Sequence, residues 1–257
     1  MRLLRLLGIG FSLSLRQTVA FRVNLLFDTG LAVVALLSTI ATTLVIFSRT
    51  DSLVGWSESD VIILIGTFEL LSGIKATFVD PNLAAFPTRG VRDGGLDHHL
   101  LRPAPSMFLV SLSTATPLAG VQIPLGLVVV GLSAHPPGLG AVVLWLVLVI
   151  AATATMWAVG MIFGSIAFWA PRLDLHSLFS NTWQLARYPA DIYARPVRLL
   201  FTYVLPVALI ATVPARALAG TLDVTAVVAA LGTSVIAVVV ATVVWRQGLK
   251  RYTGATS

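Results

Sequence analysis

Long apolar runs alternate along this chain with short polar segments that carry most of its arginines. A helix needs roughly 20 apolar residues to cross about 30 Å of hydrocarbon. The pattern predicts spans near 27–48, 60–79, 106–133, 139–169 and 224–245. A sixth is predicted over about 174–213, where a polar helix precedes a broken hairpin. The longest stretches include tilt or turns outside the membrane. Neither an internal repeat nor a low-complexity linker interrupts the series. The expected fold is one all-α integral membrane domain over 1–257, with six transmembrane helices.

Composition agrees. The chain is 57% hydrophobic and 11% charged, and its mean hydropathy is +0.92. Soluble domains carry about 25% charged residues, so there is too little polar surface here to cover a water-soluble globule. The formal net charge of +6 is explained by topology and not by nucleic-acid binding. Arg2, Arg5, Arg16 and Arg22 precede the first span, and Arg89, Arg92 and Arg102 lie between the second and third. Arg172 lies between the fourth and fifth, and Arg246, Lys250 and Arg251 follow the last. With six spans, the positive-inside rule puts all of these groups and both termini in the cytoplasm.

Residues 1–22 have arginines throughout and no small-residue cleavage site after a short apolar core, unlike a cleavable signal. As a helix, Arg2, Arg5 and Arg16 fall within about 60° of one another. The expectation is an interfacial helix on the inner leaflet. An ordinary basic flank to the first span is the simpler alternative.

Several chemistries are excluded. Without cysteine there is no disulfide, thiolate ligand or thiol nucleophile. No Gly-Lys-Ser/Thr run exists to cradle a nucleotide phosphate, and no H-E-x-x-H or G-x-S-x-G is present. His98 and His99 follow Asp97, but adjacent helical positions point about 100° apart and do not converge on one ion.

Four features are candidates for function. The first is the insert 86–105. Pro87 and Gly90 are expected to end the second span, and Gly94 and Gly95 to precede a short helix, Leu96–Arg102, stopped by Pro103 and Pro105. Leu96 and Leu100 share a face, which fits a groove on a soluble partner as well as it fits the bilayer surface. The second is Glu69, near the middle of Asp60–Val79. An intramembrane carboxylate is a functional hypothesis by default, with a pore, cargo or partner-subunit role. The alternative is a protonated carboxyl bonded to Ser72 or another span. Lys75 is close enough to the cytoplasmic end to snorkel.

The third feature is the polar fifth span, with Asp174, His176, Asn181, Gln184 and Arg187 expected to face a subunit interface or a central cavity. Gly160 and Gly164 allow close helix approach. The fourth is the hairpin 187–213. Pro189, Pro196 and Pro206 prevent one continuous helix, and Arg187, Asp191, Arg195 and Arg198 are each costly in hydrocarbon, roughly 2.5–3.5 kcal/mol at mid-membrane. Irregular backbone there must be buried in protein or line a wet cavity. A short re-entrant hairpin near the outer surface satisfies both limits, with Tyr188, Tyr193 and Tyr203 at the interface. An external gate and a structural cap both fit.

Two runs carry a resemblance. Gly95-Leu96-Asp97 with Leu100-Leu101-Arg102-Pro103 is one. Phe168-Trp-Ala-Pro-Arg172 with Gln184-Leu-Ala-Arg-Tyr-Pro-Ala-Asp-Ile-Tyr193, Arg195-Pro196 and Leu205-Pro206 is the other. They resemble type-2 ABC exporter permeases, closest to the small six-span subgroup encoded as unequal pairs beside an ATPase. The resemblance implies a half-transporter that forms its pore with a second permease, identical or different. ATP and magnesium would be bound by separate ATPase subunits and not by this chain. It implies that 89–102 acts as a coupling helix through Arg89, Arg92, Leu96, Asp97, Leu100, Leu101 and Arg102. The pathway or gate would use Glu69, Asn181, Gln184, Arg187, Tyr188, Asp191 and Tyr193. The membrane would be the bacterial plasma membrane, and the cargo hydrophobic or amphipathic. An ion-gradient transporter using Glu69 and Asp174 is the alternative, though the inverted repeats usual there are not seen. A membrane enzyme or assembly factor would need clustered catalytic groups at one face, and none stands out.

Overall fold

The computed structural model describes residues 22–133, 138–173, 175–199 and 207–252. The interfacial helix expected over 1–22, and Asp174, Tyr203, Leu205 and Pro206, lie outside them, apart from Arg22 at the first helix's start. Every described element is helical, apart from one isolated bridge between Leu53 and Trp56.

Helix α1 runs Arg22–Phe47 and turns most of its large side chains outward. A tight turn follows in which Leu53 and Trp56 exchange both backbone hydrogen bonds at 3.0 Å. Its central residues have positive φ, 52° at Val54 and 82° at Gly55. Glycine accepts that conformation freely, whereas at valine it is a strained outlier. The turn holds Trp56 inward, where it is buried.

Helix α2 is the central element, 35 residues from Glu58 to Arg92. Ser57 and Asp60 close a capping box at its start, satisfying two of the donors a helix end leaves bare. The break expected at Pro87 does not occur. The helix widens into π-turns at Lys75–Val79 and Phe86–Arg92. Proline lacks an N–H and crowds the carbonyl four residues back, and a wider turn relieves both problems. The carbonyl that Pro81 cannot reach, Thr77 O, instead accepts from Thr116 N–H at 2.9 Å. The true break falls at Gly94, whose φ is 74°.

The insert's helix, α3, is Gly95–Leu100. The stretch expected as one span over 106–133 is bent by 74° between α4 (Ser106–Leu112) and a 3₁₀ turn, Pro117–Val121, that opens α5 (Gln122–Gly131). Then come α6 (Leu139–Ile166), α7 (Leu175–Trp183, continuing as a 3₁₀ turn to Arg187), and a second 3₁₀ turn at Ala190–Ile192. Helices α8 (Arg195–Leu199), α9 (Val207–Leu218) and α10 (Val224–Arg251) complete the described chain. Four helices are long and apolar enough to cross a membrane, or five if the bent pair counts as one crossing. The sixth predicted span, 174–213, is built of short pieces and is not among them.

Packing centres on α2, whose hydrophobic window is 72% buried, against 11% for α1 and 17% for α10. A β-carbon on Gly126 of α5 would lie 2.5 Å from Gly66 O and Leu70 N of α2. The two backbones touch, and backbone cannot yield as a side-chain tip can. Gly126→Ala is therefore expected to cost about 2 kcal/mol by overpacking, read as a lowered midpoint in detergent denaturation. Gly160 and Gly164 of α6 receive Leu83 and Phe86 of α2, the close approach that their spacing predicts.

Candidate functional site

A ladder of polar contacts joins α2 to the segment 175–191. At one end, Asp80 accepts from Lys75 Nζ at 2.7 Å, and His176 Nε2 lies 3.7 Å from the same oxygen. Lys75 also donates to Ser180 at 3.4 Å and sits 5.0 Å over the Phe179 ring. In an α-helix, residues five apart diverge by about 140°. The π-turn between them, with its i→i+5 repeat, is what brings this pair together. Lys75 is 4% exposed, so it is buried and paired where snorkelling was expected.

One rung further, Trp183 Nε1 donates to Ser72 at 2.8 Å. Next, Arg187 approaches Glu69 to 4.0 Å, donates to Thr39 of α1 and to Gln184, and lies 5.4 Å over Phe68. Glu69 is 5% exposed. At the far end, Asp191 accepts from Arg216 of α9 at 2.7 Å and from Trp56 Nε1 at 3.1 Å, while Arg216 lies 5.1 Å over the Trp56 ring. Residues 176 to 191 therefore run antiparallel to α2, contacting it or its N-terminal turn from Asp80 back to Trp56.

Of the predicted pathway residues, Glu69, Gln184, Arg187 and Asp191 lie on this ladder. Tyr193 donates to Leu185 O at 2.9 Å and braces the 3₁₀ turns. Asn181 and Tyr188 are on the exposed side of the segment, away from α2. Sequence reasoning missed Trp56, Asp80 and Arg216. Asp80-Pro81 was the available signal, since an acid beside a helix-distorting proline marks an irregular turn.

A second cluster lies at the other end of α2. Leu96 is fully buried, while Leu100 is 40% and Leu101 85% exposed. The face expected to hold Leu96 and Leu100 together is split: Leu96 anchors α3 to the bundle, and Leu100, Leu101, Arg92 and Arg102 project outward. Beneath it, Phe86, Phe168 and Trp245 meet ring to ring at 5.4–5.7 Å, and Tyr252 meets Phe168 edge-on at 6.0 Å. The phenol of Tyr252 is raised above its ordinary pKa by burial and the nearby Asp97 carboxylate. The Arg102 guanidinium reaches His98 Nε2 at 3.0 Å, and Arg89 lines an open cleft of about 190 Å³ with His99 and Asn82. Burial first, then the charges of Arg102 and His98, lowers the His99 pKa. The His98 and His99 rings stand 6.2 Å apart. Among the described residues no group of three His, Cys, Asp or Glu gathers to hold a metal.

Neither a curated protein nor a solved structure matches the chain. A family model described as ABC-2 family transporter protein matches residues 33–256, which take in α2, the ladder, the insert helix α3 and α10. The chain is a membrane protein of the ABC-2 transporter family.

Proposed function

We propose that the chain is a permease subunit of an ATP-driven exporter in the bacterial plasma membrane. It forms the pathway with a second permease subunit and takes its energy from a separate ATPase that holds ATP and magnesium. The observation that carries this reading is the mounting of α3: one side anchored by buried Leu96, the other offering Leu100, Leu101, Arg92 and Arg102 to a partner. A helix held this way transmits a push from the aqueous side. Arg89 precedes it and Asp97 lies within it, and both complete the coupling segment.

The ladder supports six crossings. Segment 175–191 follows α2 from Asp80 to Trp56, about the thickness of the hydrocarbon at 1.5 Å per helical residue. Its polar side chains make it less apolar than the other spans, and His176, Ser180, Trp183 and Arg187 among them face α2 and not lipid. An odd fifth crossing followed by a re-entrant hairpin, 187–213, and α10 returns both termini to the cytoplasm. The hairpin is latched by Arg187–Glu69 and Asp191–Arg216, which suits an external gate. Asn181, Gln184, Tyr188 and Tyr193 line its open side.

The test uses Leu101→Asp or Arg92→Glu. Each is expected to leave the chain in the membrane and to cut ATPase recovered with it by at least about tenfold, since a charge placed in a partner's groove costs more than 1.4 kcal/mol. Unchanged recovery and activity would remove the coupling assignment. A gradient-driven transporter remains the second reading, favoured by buried Glu69; it predicts transport without any ATPase.

A further inference from the structure

A second site lies away from the ladder, where two irregular helices meet. The π-turn of α2 widens the helix at Lys75–Val79. Opposite it, the chain bends by 74° between α4 and the 3₁₀ turn Pro117–Val121. The mismatch leaves an open cleft of about 270 Å³ against α1, lined by Asp28, Ala32, Ala76, Thr116, Ala119 and Gln122. Its walls are mostly apolar, with Thr116 and Gln122 as neutral polar members beside Asp28. Asp28 lies near the start of the span Leu26–Phe47, and no side chain among the described residues pairs with its carboxylate. Irregular backbone at membrane depth is kept where it is buried in protein or lines a cavity, and π-turns concentrate at functional sites.

We propose that this cleft binds an amphiphile with a single cationic head, its ammonium against Asp28 and its apolar body against Ala32, Ala76 and Ala119. A head without a positive charge gains no ion pair from the carboxylate, whereas an ammonium, free or within a zwitterionic lipid head, neutralises it at the edge of the low-dielectric region. On the exporter reading, which this rests on for its role only, the cleft admits cargo from the inner leaflet.

The experiment measures saturable fluorescence binding of a dansyl-labelled alkyltrimethylammonium, and of its neutral tert-butyl isostere, to the purified full chain in nanodiscs. Wild type is expected to bind the cation at least about tenfold more tightly than the isostere. Asp28→Asn should abolish that preference, Asp28→Glu should keep it, and Ala32→Phe should weaken both probes by filling the cleft. Equal binding of the two probes to wild type, or an unaltered preference in Asp28→Asn, overturns the site. Discs of phosphatidylglycerol with and without phosphatidylethanolamine identify the natural source of the head: displacement by the lipid amine assigns a lipid, and retention assigns a free amphiphile. Binding needs no ATPase, so loss of the partner would strike the exporter reading and leave this result standing.

Discussion

Asn82→Leu is expected to cost about 4 kcal/mol, from several buried polar groups stripped at once. Asn82 is buried beside Pro81 and uses its whole amide. Its Nδ2 donates to Phe78 O at 2.8 Å and Thr114 O at 2.7 Å. Its Oδ1 accepts from Thr114 N–H at 2.9 Å and Ser113 Oγ at 3.1 Å. These bonds stitch the distorted part of α2 to the bend at 113–116, where neither helix satisfies its own backbone. Leucine fills the volume and leaves the Thr114 N–H and C=O bare. A neighbouring substitution gives the contrast. Thr77 Oγ1 is buried without a hydrogen-bond partner, so isosteric Thr77→Val should stabilise by about 1 kcal/mol. Denaturation midpoints in detergent read both. Equal effects of the two would show that the amide network does not hold the bend.

Arg187→Met is expected to cost about 3 kcal/mol, because it leaves the Glu69 carboxylate buried without its cation. The pair is 28% and 7% exposed at its side chains, so solvent screens it little. Glu69→Gln should cost less, since the amide carries no charge and Arg187 keeps Thr39 and Gln184 as partners. The double variant should be less damaging than the sum of the singles by about 2 kcal/mol, the mark of direct coupling. Additive effects would mean that the ladder's central rung is a proximity without energy.

Four long spans were legible because apolar length is a composition signal, whereas the span expected over 106–133 is bent by 74° and the one expected over 174–213 is built of short pieces. The rungs were not legible. Lys75 and Asp80 are five apart, a spacing that puts them on different faces of any α-helix; only the π-turn aligns them. Pro87 reads as a stop, but a wider turn absorbs it and carries α2 on to Arg92. Leu96 and Leu100 read as one face, yet burial separates them, since periodicity gives shared direction and not what lies opposite. Asp28 drew no notice because an acid at a span's edge is ordinary; the neighbouring irregular helices make it a site.

The most direct measurement places a photocrosslinking residue at Leu101 of the tagged chain in its native membrane and identifies the crosslinked partner, with a second probe at Val54, before the opposite end of α2, as the control. The account predicts a nucleotide-binding ATPase captured from position 101, with vanadate-sensitive hydrolysis in the eluate, and none from position 54. A chain that yields no ATPase from position 101 while remaining folded in the membrane would contradict it.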